Sequence, residues 1–142
     1  MAFIRIWIHS VWGTKNRYPH LTKEVKGKVI AHIRENAKTK GIYIDTINGY
    51  TEHLHALISL SPDMSISKTL QLIKGESAFW INREEISKEH FEWGDEYFAV
   101  SVSESALDRV RSYIHNQETH HSRETFKDEY DKFIEAFDKN KG

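Results

Sequence analysis

The period of the apolar positions changes five times along the chain, and that succession leaves few architectures open. Ile4, Ile6 and Ile8 alternate with Arg5, Trp7 and His9, so Met1 to Trp12 is expected as a strand. Gly13 to Pro19 is a polar, partly basic loop. From Thr22 to Lys40 the spacing becomes helical (Val25, Val29, Ile30, Ile33, Ala37), with Thr22 as N-cap and Gly41 as stop. Ile42 to Ile47 returns to a strand, Asn48-Gly49 is the expected hairpin turn, and Tyr50 to Leu60 is the returning strand. Ser65 or Ser67 can cap a second helix that runs to about Arg83 along the stripe Ile66, Leu70, Ile73 and Trp80. The acidic stretch Glu84 to Glu96 has no clear period and is expected as a long loop. Tyr97 to Ser103 is a fourth strand, and Glu104 opens a helix carrying Leu107, Val110, Ile114 and Gln117. A last helix from about Ser122 carries Phe126, Tyr130, Phe133 and Phe137.

The order β-α-β-β-α-β predicts an α+β, ferredoxin-like (split βαβ) fold: a four-stranded antiparallel sheet with two helices on one face. The other face stays open, and the C-terminal helices are candidates to cover it. A length of 142 residues fits one domain, residues 1–142. There is no cysteine, which excludes a disulfide scaffold, a thiolate zinc site and a cysteine nucleophile. No apolar run nears the roughly 18–20 residues a membrane span needs, and Met1 to Arg5 lacks a signal-peptide pattern. A soluble, cytoplasmic protein without membrane contact is the expectation. Net charge is −1, yet residues 1–44 hold nine Lys and Arg against two Glu, and the remainder is acidic. That asymmetry permits a polyanion partner on the N-terminal half, although an ordinary solvated helix face accounts for it equally.

The segment richest in chemistry is Glu52-His53-Leu54-His55-Ala56-Leu57-Ile58. Strand side chains alternate, so Leu54, Ala56 and Ile58 should meet the helices while His53 and His55 share the open face. Two neutral imidazoles roughly 6–7 Å apart at Cα can converge on one divalent cation. Taken alone, an alternating His pair more often just faces solvent. A second feature shifts that balance. Tyr113 and Gln117 lie at i and i+4, stacked on one helix face, with His120 or His121 a turn further on. If this helix lies over the open face, it brings a phenol and an amide oxygen to the two imidazoles. The amide oxygen can serve as a third ligand, and a tyrosine that merely packs in the core is the plainer alternative.

These residues resemble the single-tyrosine HUH transposases of small bacterial insertion sequences and their domesticated, repeat-associated relatives. The likeness rests on His53-Leu54-His55 followed by Tyr113 and Gln117. It extends over His9-Ser10-Val11-Trp12-Gly13-Thr14-Lys15-Asn16-Arg17, Lys74-Gly75, Trp93-Gly94-Asp95-Glu96-Tyr97, Ser101-Val102-Ser103 and Gln117-Glu118-Thr119-His120-His121. The resemblance implies a metal held by His53, His55 and Gln117. It further implies attack by Tyr113 on a phosphate of single-stranded DNA with hairpin ends, leaving a 5′-phosphotyrosine bond and a free 3′-hydroxyl. A homodimer is implied too, in which the tyrosine of one subunit can complete its partner's site.

A phenol of pKa about 10 is mostly protonated at neutral pH, so it needs help to attack. An amide ligand without thiolates favours Mg²⁺ or Mn²⁺ over Zn²⁺. Neutral imidazoles are required as ligands, so activity is expected to fall as pH drops through roughly 6.5. Lys15 and Arg17 after the first strand, and Lys74 on the second helix, are candidates for phosphate contact. Trp7 and His9 are candidates to stack on bases or to cover the sheet.

Three other readings compete. A histidine-triad hydrolase wants a third alternating His, and position 57 is Leu; a two-histidine phosphoesterase wants a second His-x-Ser/Thr motif in a strand. A non-catalytic RNA-recognition module would present aromatics where this sheet presents histidines. A domesticated protein that binds repeats keeps the same residues and is distinguished by the gene's surroundings.

Overall fold

A computed structural model describes residues 3–117 together with Asp128, Asp131, Lys132 and Glu135. The first strand, β1, spans Trp7–Thr14, followed by helix α1 (Lys23–Thr39) and the hairpin β2 (Tyr43–Tyr50) and β3 (His53–Ser59). Helix α2 (Ile66–Arg83), strand β4 (Trp93–Val102) and helix α3 (Leu107–His115) complete it. The strands lie in the order β2-β3-β1-β4, with every neighbouring pair antiparallel. This is the α+β arrangement expected from the succession of periods. Among the described residues no helix is long and apolar enough to cross a membrane.

The alternation along β3 sorts its side chains as expected. Leu54, Ala56 and Ile58 join one buried cluster with Val29, Ile33 and Ala37 of α1 and Leu70, Ile73 and Ile81 of α2. Burying each of the larger apolar side chains contributes roughly 1.5–3 kcal/mol. On the opposite face Leu57 packs with Leu107 and Ile114 of α3, flanked by Trp7, Val102, Val110 and Tyr113. The open face is therefore covered by α3. The C-terminal helix expected from Ser122, its aromatic stripe, and His120 and His121 lie outside the described residues.

Both long helices start and stop where the sequence signals them. Thr22 Oγ1 accepts from the Val25 amide, Ser65 Oγ accepts from the Lys68 amide, and Gly41 follows α1 at φ 71°.

Four boundaries differ from expectation. The first strand begins at Trp7 rather than Met1, because Trp7 pairs with Ser59, the last residue of β3, and Ile4 and Ile6 are exposed beyond it. The fourth strand begins at Trp93, inside the stretch expected as loop. As an edge strand it tolerates exposed Asp95 and Glu96, and a bulge between Trp12 and Thr14 lets Trp93 pair with Thr14. The helix expected from Glu104 through Gln117 opens with a 3₁₀ turn (Glu104–Ala106) and ends at His115.

The hairpin turn is also displaced. Asn48 and Gly49 are strand residues, paired with His55 and Leu54, and the chain reverses at Thr51-Glu52. Tertiary hydrogen bonds hold that turn: the Leu21 amide donates to the Thr51 carbonyl at 2.9 Å and the Thr14 amide to the Glu52 carbonyl at 2.8 Å. Gly49 is needed for space. A Cβ there would run into the His53 carbonyl oxygen and sit 2.8 Å from the Leu54 Cα. Buried Lys26 of α1 donates to the Gly49 carbonyl at 3.0 Å, tying this end of the hairpin to the helix layer.

Candidate active site

His53 and His55 leave the central strand β3 on the face covered by α3, and both are fully buried. Their ring centroids are 5.0 Å apart. Each ring is held from behind through Nδ1. His53 Nδ1 lies 2.7 Å from Glu52 Oε1, and an ionised carboxylate can only accept, so Nδ1 is the donor of that pair. His55 Nδ1 lies 2.9 Å from Nε2 of His9, which is itself buried on β1. With Nδ1 engaged on both rings, Nε2 is the nitrogen through which each would bind a cation.

Helix α3 delivers the phenol. The Tyr113 ring centroid is 5.8 Å from that of His55 and 6.1 Å from that of His9, edge-on to both. Gln117, one residue beyond the C-cap Asn116, is fully buried, and its Nε2 donates to the Tyr113 carbonyl at 3.2 Å. The amide nitrogen is thereby turned back onto the helix, and Oε1 is the atom of the group that could ligate a cation. Tyr113 and both imidazoles belong to one chain in this arrangement.

What docks α3 was not foreseen. Asp45 sits in the β2 bulge between Ile44 and Thr46, and Arg111 donates to both its carboxylate oxygens, at 2.8 and 3.0 Å. Asn48 Nδ2 donates to the His115 carbonyl at 2.9 Å, capping the helix end from the same strand. The hydrogen bonds from Arg111, and to a lesser degree from Thr46, hold the Asp45 carboxyl below the usual carboxylate range against the opposing effect of burial. A carboxylate whose pKa is depressed on folding contributes stability above its unfolded value, about 3.9, and loses it as pH falls toward the folded value. Amide exchange in α3 should therefore speed up selectively as pH drops below about 4, and Asp45→Asn should abolish that step. An identical acid profile in wild type and variant would remove the pair from the docking of α3.

The residues present suit a hard or borderline cation: two imidazoles with oriented rings and one amide oxygen. Among the described residues no three His, Cys, Asp or Glu side chains converge as a ready-made metal cluster. A third protein donor, if a cation is held here, could come from the Gln117 amide oxygen.

The three candidate phosphate contacts gather elsewhere, around Gly94 to Tyr97. Lys15 and Arg17 line a cleft of about 480 Å³ with Trp12 and the start of β4, and Lys74 lines a neighbouring cleft of about 440 Å³. Neither lining includes His53, His55 or Tyr113. Lys15 pairs with Glu92 at 3.3 Å on the surface. Lys74 Nζ donates to the Gly94 carbonyl at 2.8 Å, and burial lowers its pKa, so part of its role is to brace α2 against β4. Trp7 covers the sheet, its Nε1 donating to Glu104 at 3.1 Å, and His9 is too buried to stack on a base. Reading His9 as a partner of His55 was within reach of the sequence only through strand pairing, because both lie at odd positions of neighbouring strands.

Comparison with known proteins points to one family. The family model described as "Transposase IS200 like" matches residues 2–117. The ISDra2 transposase TnpA of Deinococcus radiodurans is 26% identical over 114 residues, covering 77% of this chain and 81% of the relative. A crystal structure of a protein from D. radiodurans R1 superposes with a TM-score of 0.66 at 24% identity, over 82% of this chain and 93% of that one. A REP-associated tyrosine transposase bound to a REP hairpin superposes at 0.65 with 15% identity, over 85% and 72% of the respective chains.

Proposed function

The chain belongs to the IS200-like transposase family, and on that premise we propose that it cuts and rejoins single-stranded DNA through Tyr113, at ends that fold into hairpins. The observation that carries the reading is the meeting of the Tyr113 ring with the buried imidazoles of His9 and His55, from helix and sheet, at centroid distances near 6 Å. The Tyr113 hydroxyl attacks the scissile phosphorus, the 3′-oxygen leaves with a proton, and the strand stays attached through a 5′-phosphotyrosine bond. The phosphodiester's energy is kept in that bond, so an incoming 3′-hydroxyl can displace the tyrosine without a nucleotide cofactor.

His53, His55 and Gln117 would hold a divalent cation, Mg²⁺ or Mn²⁺. When bound, it would polarise a non-bridging phosphate oxygen and offset charge built up in the displacement. The chain's own residues supply the rest. Glu52 and His9 fix the rings, Gln117 braces the Tyr113 turn, and Arg111 with Asn48 holds α3 over the sheet.

The test is covalent capture. Labelled single-stranded DNA carrying the hairpin end of the element beside the gene, incubated with Mn²⁺, should give a protein–DNA band that survives denaturation. No band from such an end, from single or double strands, would sink the proposal. A domesticated, binding-only protein would retain the hairpin without forming the band.

Lys15 and Arg17 are proposed to grip backbone phosphates in their cleft. Replacing both by Ala should lower the slope of log affinity against log salt by about 1.4 for a single-stranded contact region. An unchanged slope takes them out of the interface. The proposed homodimer is checked by sedimentation, and completion of the site in trans by mixing a Tyr113 variant with a His53 variant and looking for regained capture.

A further inference from the structure

We propose that His9 is a positioning residue for the cation site: its Nε2 accepts the Nδ1 proton of His55 and so selects the tautomer in which His55 offers Nε2. The proposal rests on the reading of His53 and His55 as ligands. The two rings are supported unequally. Behind His53 stands a carboxylate, Glu52, which can only accept, so the tautomer of His53 is forced. Behind His55 stands another imidazole, which can accept or donate.

One hydrogen lies between His9 Nε2 and His55 Nδ1 across 2.9 Å, and its owner decides the chemistry of the site. With the proton on His9 Nε2, neutral His55 carries its own proton on Nε2 and has no lone pair to give a cation. With the proton on His55 Nδ1, Nε2 of His55 is a lone pair and His9 is the acceptor. The strand register makes the contact diagonal: His9 faces Leu57 and His55 faces Val11, two positions apart on the same sheet face. Tyr113 closes over both rings, so the contact is sealed in the same layer as the phenol. An outer partner of this kind orients a ligand ring and is typically worth 10–100-fold in metal affinity.

Two measurements on the full chain test this. In the metal-free protein at slightly alkaline pH, long-range ¹H–¹⁵N correlation spectra of the histidine rings report directly which nitrogen carries the proton. His55 is expected with its proton on Nδ1; a proton on Nε2 overturns the proposal. Mn²⁺ titration is then compared among wild type, His9→Leu and His9→Gln, with thermal unfolding as the control for fold. Leu fills space without an acceptor and should weaken Mn²⁺ binding at least about tenfold, whereas the Gln amide oxygen should restore most of it. Wild-type Mn²⁺ affinity in folded His9→Leu overturns the proposal. If His9→Leu fails to fold, the wild-type spectrum still decides. A wild type that shows the Nδ1 proton yet binds no Mn²⁺ supports the His9 assignment and overturns the metal reading instead.

Discussion

Tyr113→Phe should abolish the covalent protein–DNA band and lower strand cleavage by at least about 10³-fold, while the protein still folds and still binds the hairpin. The substitution removes one oxygen and keeps the ring. The edge-on contacts with His9 and His55 and the packing against Leu57 and Leu107 depend on the ring, so the α3 layer should persist. Thermal unfolding and hairpin affinity close to wild type are therefore part of the expected result, and they separate loss of the nucleophile from loss of the fold. Tyr113→Phe giving a band as intense as wild type would move the nucleophile to another residue. Residual cleavage without a band would instead assign the attack to water.

Gly49→Ala should destabilise the domain by about 3 kcal/mol or more, at the upper end of the range for a side chain forced into filled space. A Cβ at this position meets backbone, the His53 carbonyl oxygen and the Leu54 Cα, and backbone in a central strand cannot turn aside as a flexible side chain can. The strand would have to shift at His53 itself, so the damage should reach the histidine pair as well as stability. Chemical denaturation measures the first effect. The second appears as displaced His53 ring signals even where the variant is still folded. An unfolding free energy within about 0.5 kcal/mol of wild type would show that the hairpin has slack which the packing denies.

The glycine illustrates how a correct residue can carry a wrong inference. Asn48-Gly49 reads locally as a tight turn, because both residue types tolerate positive φ. In the fold the glycine is needed where two strands crowd, and the turn falls two residues later, where neighbouring segments hold the carbonyls of Thr51 and Glu52. The β4 boundary moved for a related reason. An acidic stretch without a period is compatible with an edge strand, whose outer positions face water, and only pairing with Thr14 shows that it is one.

Alternation and helical spacing are properties of a residue and its near neighbours, so the order of elements, the face carrying His53 and His55, and the caps at Thr22 and Ser65 could be read from the chain alone. Tyr113 and Gln117 could be singled out by their spacing, but the helix expected to carry both ends at His115. Contacts between distant segments could not be. That His9 backs His55, that a bulge presents Asp45 to Arg111, and that α3 brings Tyr113 onto its own sheet all follow from strand register and helix docking. These are set by the packing of both sheet faces at once, and no local window of sequence contains that information.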